Sequence, residues 1–191
     1  MTPKYRTGQV RIIAGEWRSR RVSFPDVPGL RPSADRVRET LFNWLQQVID
    51  GAACLDLFAG SGILGFEALS RGAARVVMVE HHPAVAAHLV DQMRGFAVPP
   101  DRGRVTHRDA LAYLHGPAEA FDIVFVDPPF DSDLLPAACR GLDEGGWLRP
   151  GALVYLESPW SRGEPPLPPQ WQLLHRRRAG HVGLALARAP A

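Results

Sequence analysis

From residue 52 onward the chain alternates short apolar runs with segments of helical spacing, and that alternation limits its possible folds more than any other feature. Ala53–Leu57, Arg75–Val79, Arg104–His107, Phe121–Val126 and Ala152–Leu156 read as strands, and residues 63–71, 83–94, 110–115 and 133–143 as the helices between them. Strands that are apolar along nearly their whole length need cover on both faces, which a parallel sheet between helices provides. After a Pro-rich loop over 164–169, residues 170–177 and 181–188 read as two more strands about Ala179-Gly180, an antiparallel hairpin at the sheet edge. The expected fold is α/β: a mostly parallel seven-stranded sheet with helices on both faces. Ligands of such sheets bind beyond the carboxyl ends of the strands, so loops 57–63, 80–83, 108–110 and 127–132 are expected to line one site.

The first 51 residues follow another pattern. Val10–Ile13 and Arg20–Phe24 read as two strands joined through Ala14-Gly15-Glu16-Trp17, and Pro25, Pro28 and Gly29 end the unit. A two-stranded ribbon this small must pack on something larger. Ser33 reads as the N-cap of a helix whose apolar stripe is Val37, Leu41, Trp44, Leu45 and Val48, with Asp50-Gly51 as its stop. A length of 191 residues suits one α/β domain with this appendage. The division expected is a basic ribbon over 1–30 and a catalytic domain over 31–191.

Charge is unevenly placed. Residues 1–50 carry a net +4, residues 51–157 a net −6 and residues 158–191 a net +4. Of the 22 basic residues, 21 are arginine. A basic arm (Arg6, Arg11, Arg18, Arg20, Arg21) and a second cluster (Arg176, Arg177, Arg178) suit a phosphate-rich partner, although charge runs are often only solvated faces. No run of 18 apolar residues occurs, and no apolar segment follows Met1–Arg6, so neither a spanning helix nor a secretion signal is expected. Cys54 and Cys139 lie in separate apolar segments and read as buried free thiols. A cytoplasmic protein is expected.

Two motifs carry chemistry. Gly60-Ser61-Gly62-Ile63-Leu64-Gly65 fits G-x-G-x-x-G between a strand and a helix, and Glu80 ends the next strand twenty residues after Gly60. The pair suits an adenosine-bearing cofactor, nicotinamide or S-adenosyl. Asp127-Pro128-Pro129-Phe130, after the fourth strand, is sharper. Two prolines fix the backbone and remove two amide donors, leaving a carboxylate, a rigid carbonyl and an aromatic face. An exocyclic amine on a flat base needs such a set: Asp127 and the Pro128 carbonyl accept its two N–H groups while Phe130 stacks on the ring. Pairing the N–H groups in this way draws the nitrogen lone pair out of conjugation and aims it at an electrophile.

Phe58-Ala59-Gly60-Ser61-Gly62 followed by Asp127-Pro128-Pro129-Phe130 resembles the class I S-adenosylmethionine-dependent methyltransferases of exocyclic amines, which have a Rossmann-like fold. The runs Arg11–Arg20 and Leu30–Leu45, above all Arg31-Pro32-Ser33-Ala34-Asp35-Arg36-Val37-Arg38-Glu39-Thr40-Leu41-Phe42-Asn43, resemble the RsmD family over roughly residues 10–157. That family methylates N2 of one guanine in bacterial 16S ribosomal RNA. The last strand departs, since Gly183–Ala187 lacks the family's aromatics. The resemblance implies S-adenosylmethionine as cofactor. Asp56, Phe58, Gly60, Ser61 and Gly62 would lie along its methionine end, Glu80 with His81 at its ribose, and Asp109 with Ala110 at its adenine. Arg31, Pro32 and Arg36 would close over it. Arg11, Trp17, Arg18, Arg20 and Arg21 would grip RNA, with Trp17 either stacking on a base or packing the ribbon. The implied partner is 16S ribosomal RNA, in the small subunit or an assembly intermediate, met by a monomer without a metal.

Alternatives remain open at this level. An N6-adenine methyltransferase on RNA or DNA would use the same four-residue motif. A nicotinamide-dependent oxidoreductase leaves Asp127–Phe130 unexplained, and a pure RNA-binding module leaves the cofactor loop unexplained. His81-His82 lacks metal-ligand spacing, and Ser61 lacks the frame of a nucleophile elbow. Glu157 ends the fifth strand and touches either substrate or water.

Overall fold

The computed structural model describes residues 7–30 and 32–191. A two-stranded antiparallel ribbon, β1 (Thr7–Arg11) and β2 (Arg21–Pro25), precedes helix α1 (Asp35–Trp44). There follow β3 (Ala53–Asp56), α2 (Ile63–Ser70), β4 (Arg75–Glu80), α3 (Pro83–Gly95), β5 (Gly103–His107), α4 (Ala110–Leu114), β6 (Phe121–Val126) and α5 (Leu134–Glu144). Strand β7 (Leu148–Pro159), a 3-10 turn over Trp160–Arg162, and the hairpin β8 (Gln172–Ala179) and β9 (Val182–Arg188) complete the chain.

The second sheet has seven strands in the order β5-β4-β3-β6-β7-β9-β8. Strands β3 to β7 run parallel, while β9 is antiparallel to both of its neighbours. The expected α/β architecture with its C-terminal hairpin is therefore present. Successive strand residues enter opposite cores, as the two-residue period demands. Cys54, Val76, Met78, Ile123 and Phe125 pack under α1, α2 and α3, whereas Leu55, Val77, Val79, Val124 and Val126 pack under α4 and α5. Helix α2 is buried on all sides. Gly65 permits this, because a Cβ there would stand 2.3 Å from Cε of Met78 on β4. Both cysteines are buried free thiols.

The ribbon differs from expectation. Its strands begin and end around the expected ones, and Ile12–Arg20 forms a loop fastened to α2 instead of a tight hairpin turn. The Glu67 carboxylate accepts from the backbone N–H of Ile13 (2.8 Å) and Ala14 (3.1 Å). Ser70 Oγ accepts from Trp17 N (2.9 Å) and donates to Ala14 O (2.6 Å). Pairing of Ile12 with Ser19 and Arg20 closes the base of the loop, and the bonds to Glu67 and Ser70 satisfy two buried polar side chains of α2 at once. Ile12, Trp17 and Val22 consequently share a core with the α/β body.

Two further boundaries shift. Helix α1 stops at Trp44 and continues only as turns, so Val48 is exposed rather than part of the apolar stripe. Ala34, not Ser33, occupies the N-cap position, and no side chain caps the helix. Strand β7 is longer than the apolar run 152–156, since Phe121 of β6 pairs with Leu148 and Val182 of β9 pairs with Pro159.

Candidate functional site

Sheet order reverses between β3 and β6: β4 and β5 continue to one side, β7 to the other. Loops leaving the two central strands diverge there and open a crevice. A cleft of about 1180 Å³ occupies that position. All four expected loops line it. So do the Val27–Leu30 segment, Ser33, Glu157 and Arg178–Gly180, which periodicity did not mark.

The glycine loop forms one wall. Gly62 adopts φ +77°, and a Cβ there would stand 2.5 Å from Leu89 Cδ2, so only glycine suits the turn into α2. Glu80, buried at the end of β4, accepts from Gly60 N (2.9 Å) through Oε2 and from His82 N (2.7 Å) through Oε1. His81 is exposed, with Nδ1 3.2 Å from the same Oε1. Each Glu80 oxygen keeps lone-pair capacity toward the cleft. Asp109 caps α4 by accepting from Ala112 N (2.9 Å), and Ala110 behind it is buried. Both line the cleft, as do Phe58, Ser61, Pro32 and Arg36. Arg31 lies outside the described residues, as does Arg6.

Acidic groups gather at the strand ends. Asp56 is buried and accepts from Gly65 N (3.2 Å); its pKa is pushed up to about 7, first by loss of water and further by the charges of Asp127 and Glu80. Asp127, half-buried at the end of β6, is pushed up to about 6 by burial, against a hydrogen bond from Ser33 Oγ at 3.3 Å. The Ser33 hydroxyl thus serves Asp127 instead of capping α1. Glu157 is buried, accepts from Tyr155 Oη (2.9 Å), and is raised well above the carboxylate range by burial and by Asp127. Sequence reasoning left Glu157 between substrate and water; the structure sets it on the cleft wall among these acids. Its only advance signal was its position at a strand end.

After Asp127, Pro128 is buried while Pro129 and Phe130 are exposed, Phe130 at 37%. Ser132 Oγ donates to Pro129 O (2.6 Å) and holds the loop in shape. The result is an acid, a fixed carbonyl and an open aromatic ring at the cleft mouth.

A family described as Conserved hypothetical protein 95 matches residues 10–188. The chain is also 46% identical over 180 residues to the Escherichia coli (strain K12) protein named Ribosomal RNA small subunit methyltransferase D, covering 94% of this chain and 90% of that one. The chain belongs to the RsmD family. The like-named Haemophilus influenzae protein is 43% identical over 182 residues, 94% of this chain and 93% of its own. A solved structure titled as the putative methyltransferase yhhF from Escherichia coli superposes with a TM-score of 0.89 at 43% identity, covering 96% of this chain and 99% of that one. The family match runs through β9, past the point near 157 where the resemblance read from the sequence ends.

The cleft of this RsmD-family chain suits an adenosine-bearing ligand. Gly60, at φ +51°, presents bare backbone to it, Gly62 lies behind the lining against Leu89 and Phe66, and Glu80 offers acceptors to ribose hydroxyls. His82 Nδ1, on the same wall, is a buried side-chain nitrogen without a hydrogen-bond partner among the described residues. A ligand donor there would satisfy it.

The ribbon residues stand elsewhere. No residue of β1 or β2 lines the cleft. Arg11 Nε bonds Asp35 (3.2 Å), Arg21 bonds Gln9 (3.1 Å), and Arg20 lies 3.9 Å over the Phe96 ring while donating to Gly95 O (3.3 Å). Arg18 is exposed. Trp17 is only 5% exposed, its ring 5.0 Å from that of Phe96. The stacking role for Trp17 is therefore corrected to packing: its ring has no open face large enough for a base.

Proposed function

We propose that this chain transfers the methyl group of S-adenosylmethionine to the exocyclic N2 of a guanine in small-subunit ribosomal RNA. The observation that carries the reading is the Asp127–Phe130 segment at the mouth of a cleft whose opposite wall is built for an adenosine. Family membership supports both the reaction and the RNA.

S-adenosylmethionine, when bound, supplies a methyl group on a sulfonium, already a strong electrophile. The chain's own residues then have mainly to position the amine and exclude water. Asp56, Phe58, Gly60, Ser61 and Gly62 hold the methionine end, Glu80 and His81 the ribose, Asp109 and Ala110 the adenine. Pro32 and Arg36, with Arg31, close over it. Asp127 and the Pro128 carbonyl accept the two N–H groups of the target amine, and Phe130 stacks on the base. Pro129 holds the carbonyl rigid. Ser33 steadies Asp127 in this task. With its pKa near 6, Asp127 is a carboxylate at neutral pH and is ready to accept. A base within a duplex must leave its stack to arrive there.

We place the substrate RNA within the small subunit or an assembly intermediate, met by a monomer in the cytoplasm. No described helix is long and apolar enough to cross a membrane.

The test mixes the protein with methyl-labelled S-adenosylmethionine and small subunits lacking the modification, then identifies the labelled nucleoside by mass spectrometry. N2-methylguanosine at one position is expected. N6-methyladenosine would overturn the base while keeping the mechanism.

A further inference from the structure

Strand β8 is the edge of the seven-stranded sheet, and its arginines lie on the side of the molecule where the cleft opens. Arg178, Ala179 and Gly180 line the cleft itself. Alternation along β8 puts Arg176 and Arg178 on one face, and both lie over Trp160, with Cζ 4.5 Å and 5.8 Å from the ring centroid. The tryptophan acts as a shelf that holds two guanidinium groups side by side. Arg176 is further steadied by Gly163 O at 2.6 Å and lies 3.7 Å from Glu164; Arg178 donates to Gly180 O at 2.8 Å.

Arg162 joins this shelf to the target-base loop. It donates to Ser132 O at 2.9 Å and stands 3.7 Å from Asp133, and Ser132 in turn holds Pro129 O. Arg177 is exposed on the opposite face of β8. Within a stretch that carries a net +4, Arg178 lines the cleft, Arg176 lies beside it on the Trp160 ring, and Arg162 reaches the target-base loop. In the ribbon, Arg11, Arg21 and Arg20 meet Asp35, Gln9 and the Phe96 ring, Arg18 is exposed, and none of the four lines the cleft.

We propose that the rim formed by Arg162, Arg176 and Arg178 around Trp160 holds the phosphate backbone of the RNA whose base enters the cleft. This rests on the proposed RNA methyl transfer for the identity of the partner. Guanidinium groups on a flat, rigid edge match phosphates bidentately, and their distance from Asp127 is bridged by the Arg162–Ser132–Pro129 connection. A negatively charged middle of the chain would repel RNA without such a rim.

The test is a double variant of the rim, Arg162→Ala with Arg176→Ala, beside a ribbon variant, Arg18→Ala with Arg21→Ala. Binding to unmodified small subunits is followed across salt concentrations, and S-adenosylmethionine affinity by calorimetry reports folding. Loss of two phosphate contacts lowers the slope of log affinity against log salt by about 1.5–2. That drop is expected for the rim variant, with cofactor affinity kept. An unchanged slope in the rim variant overturns the proposal, whatever the slope of the ribbon variant. If the rim variant shows the drop while the wild-type protein transfers no methyl group, the methyltransferase reading fails and the rim stands.

Discussion

The Arg38 guanidinium and the Glu67 carboxylate are both wholly withdrawn from solvent and meet at 3.1 Å, tying α1 to α2. Arg38 also reaches Asp35 at 2.6 Å, and Glu67 also reaches Arg71 at 2.8 Å and the backbone of the ribbon loop. One buried pair therefore joins the ribbon, the helix that leads away from the cleft-lining Ser33, and the helix that follows the glycine loop.

Removing one partner strands the other. Glu67→Ala is expected to cost about 3–5 kcal/mol, because a buried guanidinium and two backbone N–H groups lose their acceptor. Arg38→Met with Glu67→Leu recovers only part of this, since the N–H groups of Ile13 and Ala14 stay unpaired. Urea unfolding of the parent and the two variants measures both effects.

Trp17→Ala should destabilise by about 3–5 kcal/mol, the cost of a large aromatic cavity. At a temperature where the variant remains folded, its affinity for small subunits should match that of the parent. A selective loss of RNA affinity would restore the stacking role.

Asp127→Ala is expected to lower turnover about 10²–10³-fold, the scale of losing one aimed charge-stabilising group. Cofactor affinity, read by calorimetry, should hold. Burial raises the Asp127 pKa to about 6, so the parent's turnover should fall as pH drops through 6 and the acceptor takes up a proton. Asp127→Asn keeps an acceptor oxygen and should retain more activity than the alanine variant, without that acid limb.

Glu80→Ala acts the other way. It should weaken S-adenosylmethionine binding about 10–100-fold, as expected for lost hydrogen bonds to a charged group, before turnover at saturation suffers. The glycine loop loosens as well, because Gly60 N loses its partner.

Asp56 gives the protein a pH-dependent stability. Its folded pKa, raised from 3.8 to about 7, means that the folded state keeps a proton the unfolded chain releases. The contribution is fully present below pH 3.8 and is lost as pH rises through 7. Asp56→Asn should flatten the stability profile between pH 4 and 7, measured by denaturant midpoints across that range.

What the sequence determined by itself was local or periodic. Apolar runs at strand length, helical spacing between them, and Gly60–Gly65 and Asp127–Phe130 after their strands were enough for the architecture, the cleft and most of its lining, because each signal lies within a few adjacent residues. What the tertiary structure alone decided depends on groups far apart in the chain. Ser33 looks like a helix cap until Asp127, 94 residues away, offers it a better acceptor. Trp17 looks available until Phe96 covers it, and Glu157 is ambiguous until Asp127 and Tyr155 surround it. The arginines of β8 and of the ribbon are alike in composition; only the fold sets Arg178 in the cleft lining and Arg20 over Phe96. A polar or amphipathic side chain takes the partner that folding brings to it, and no local pattern encodes that choice.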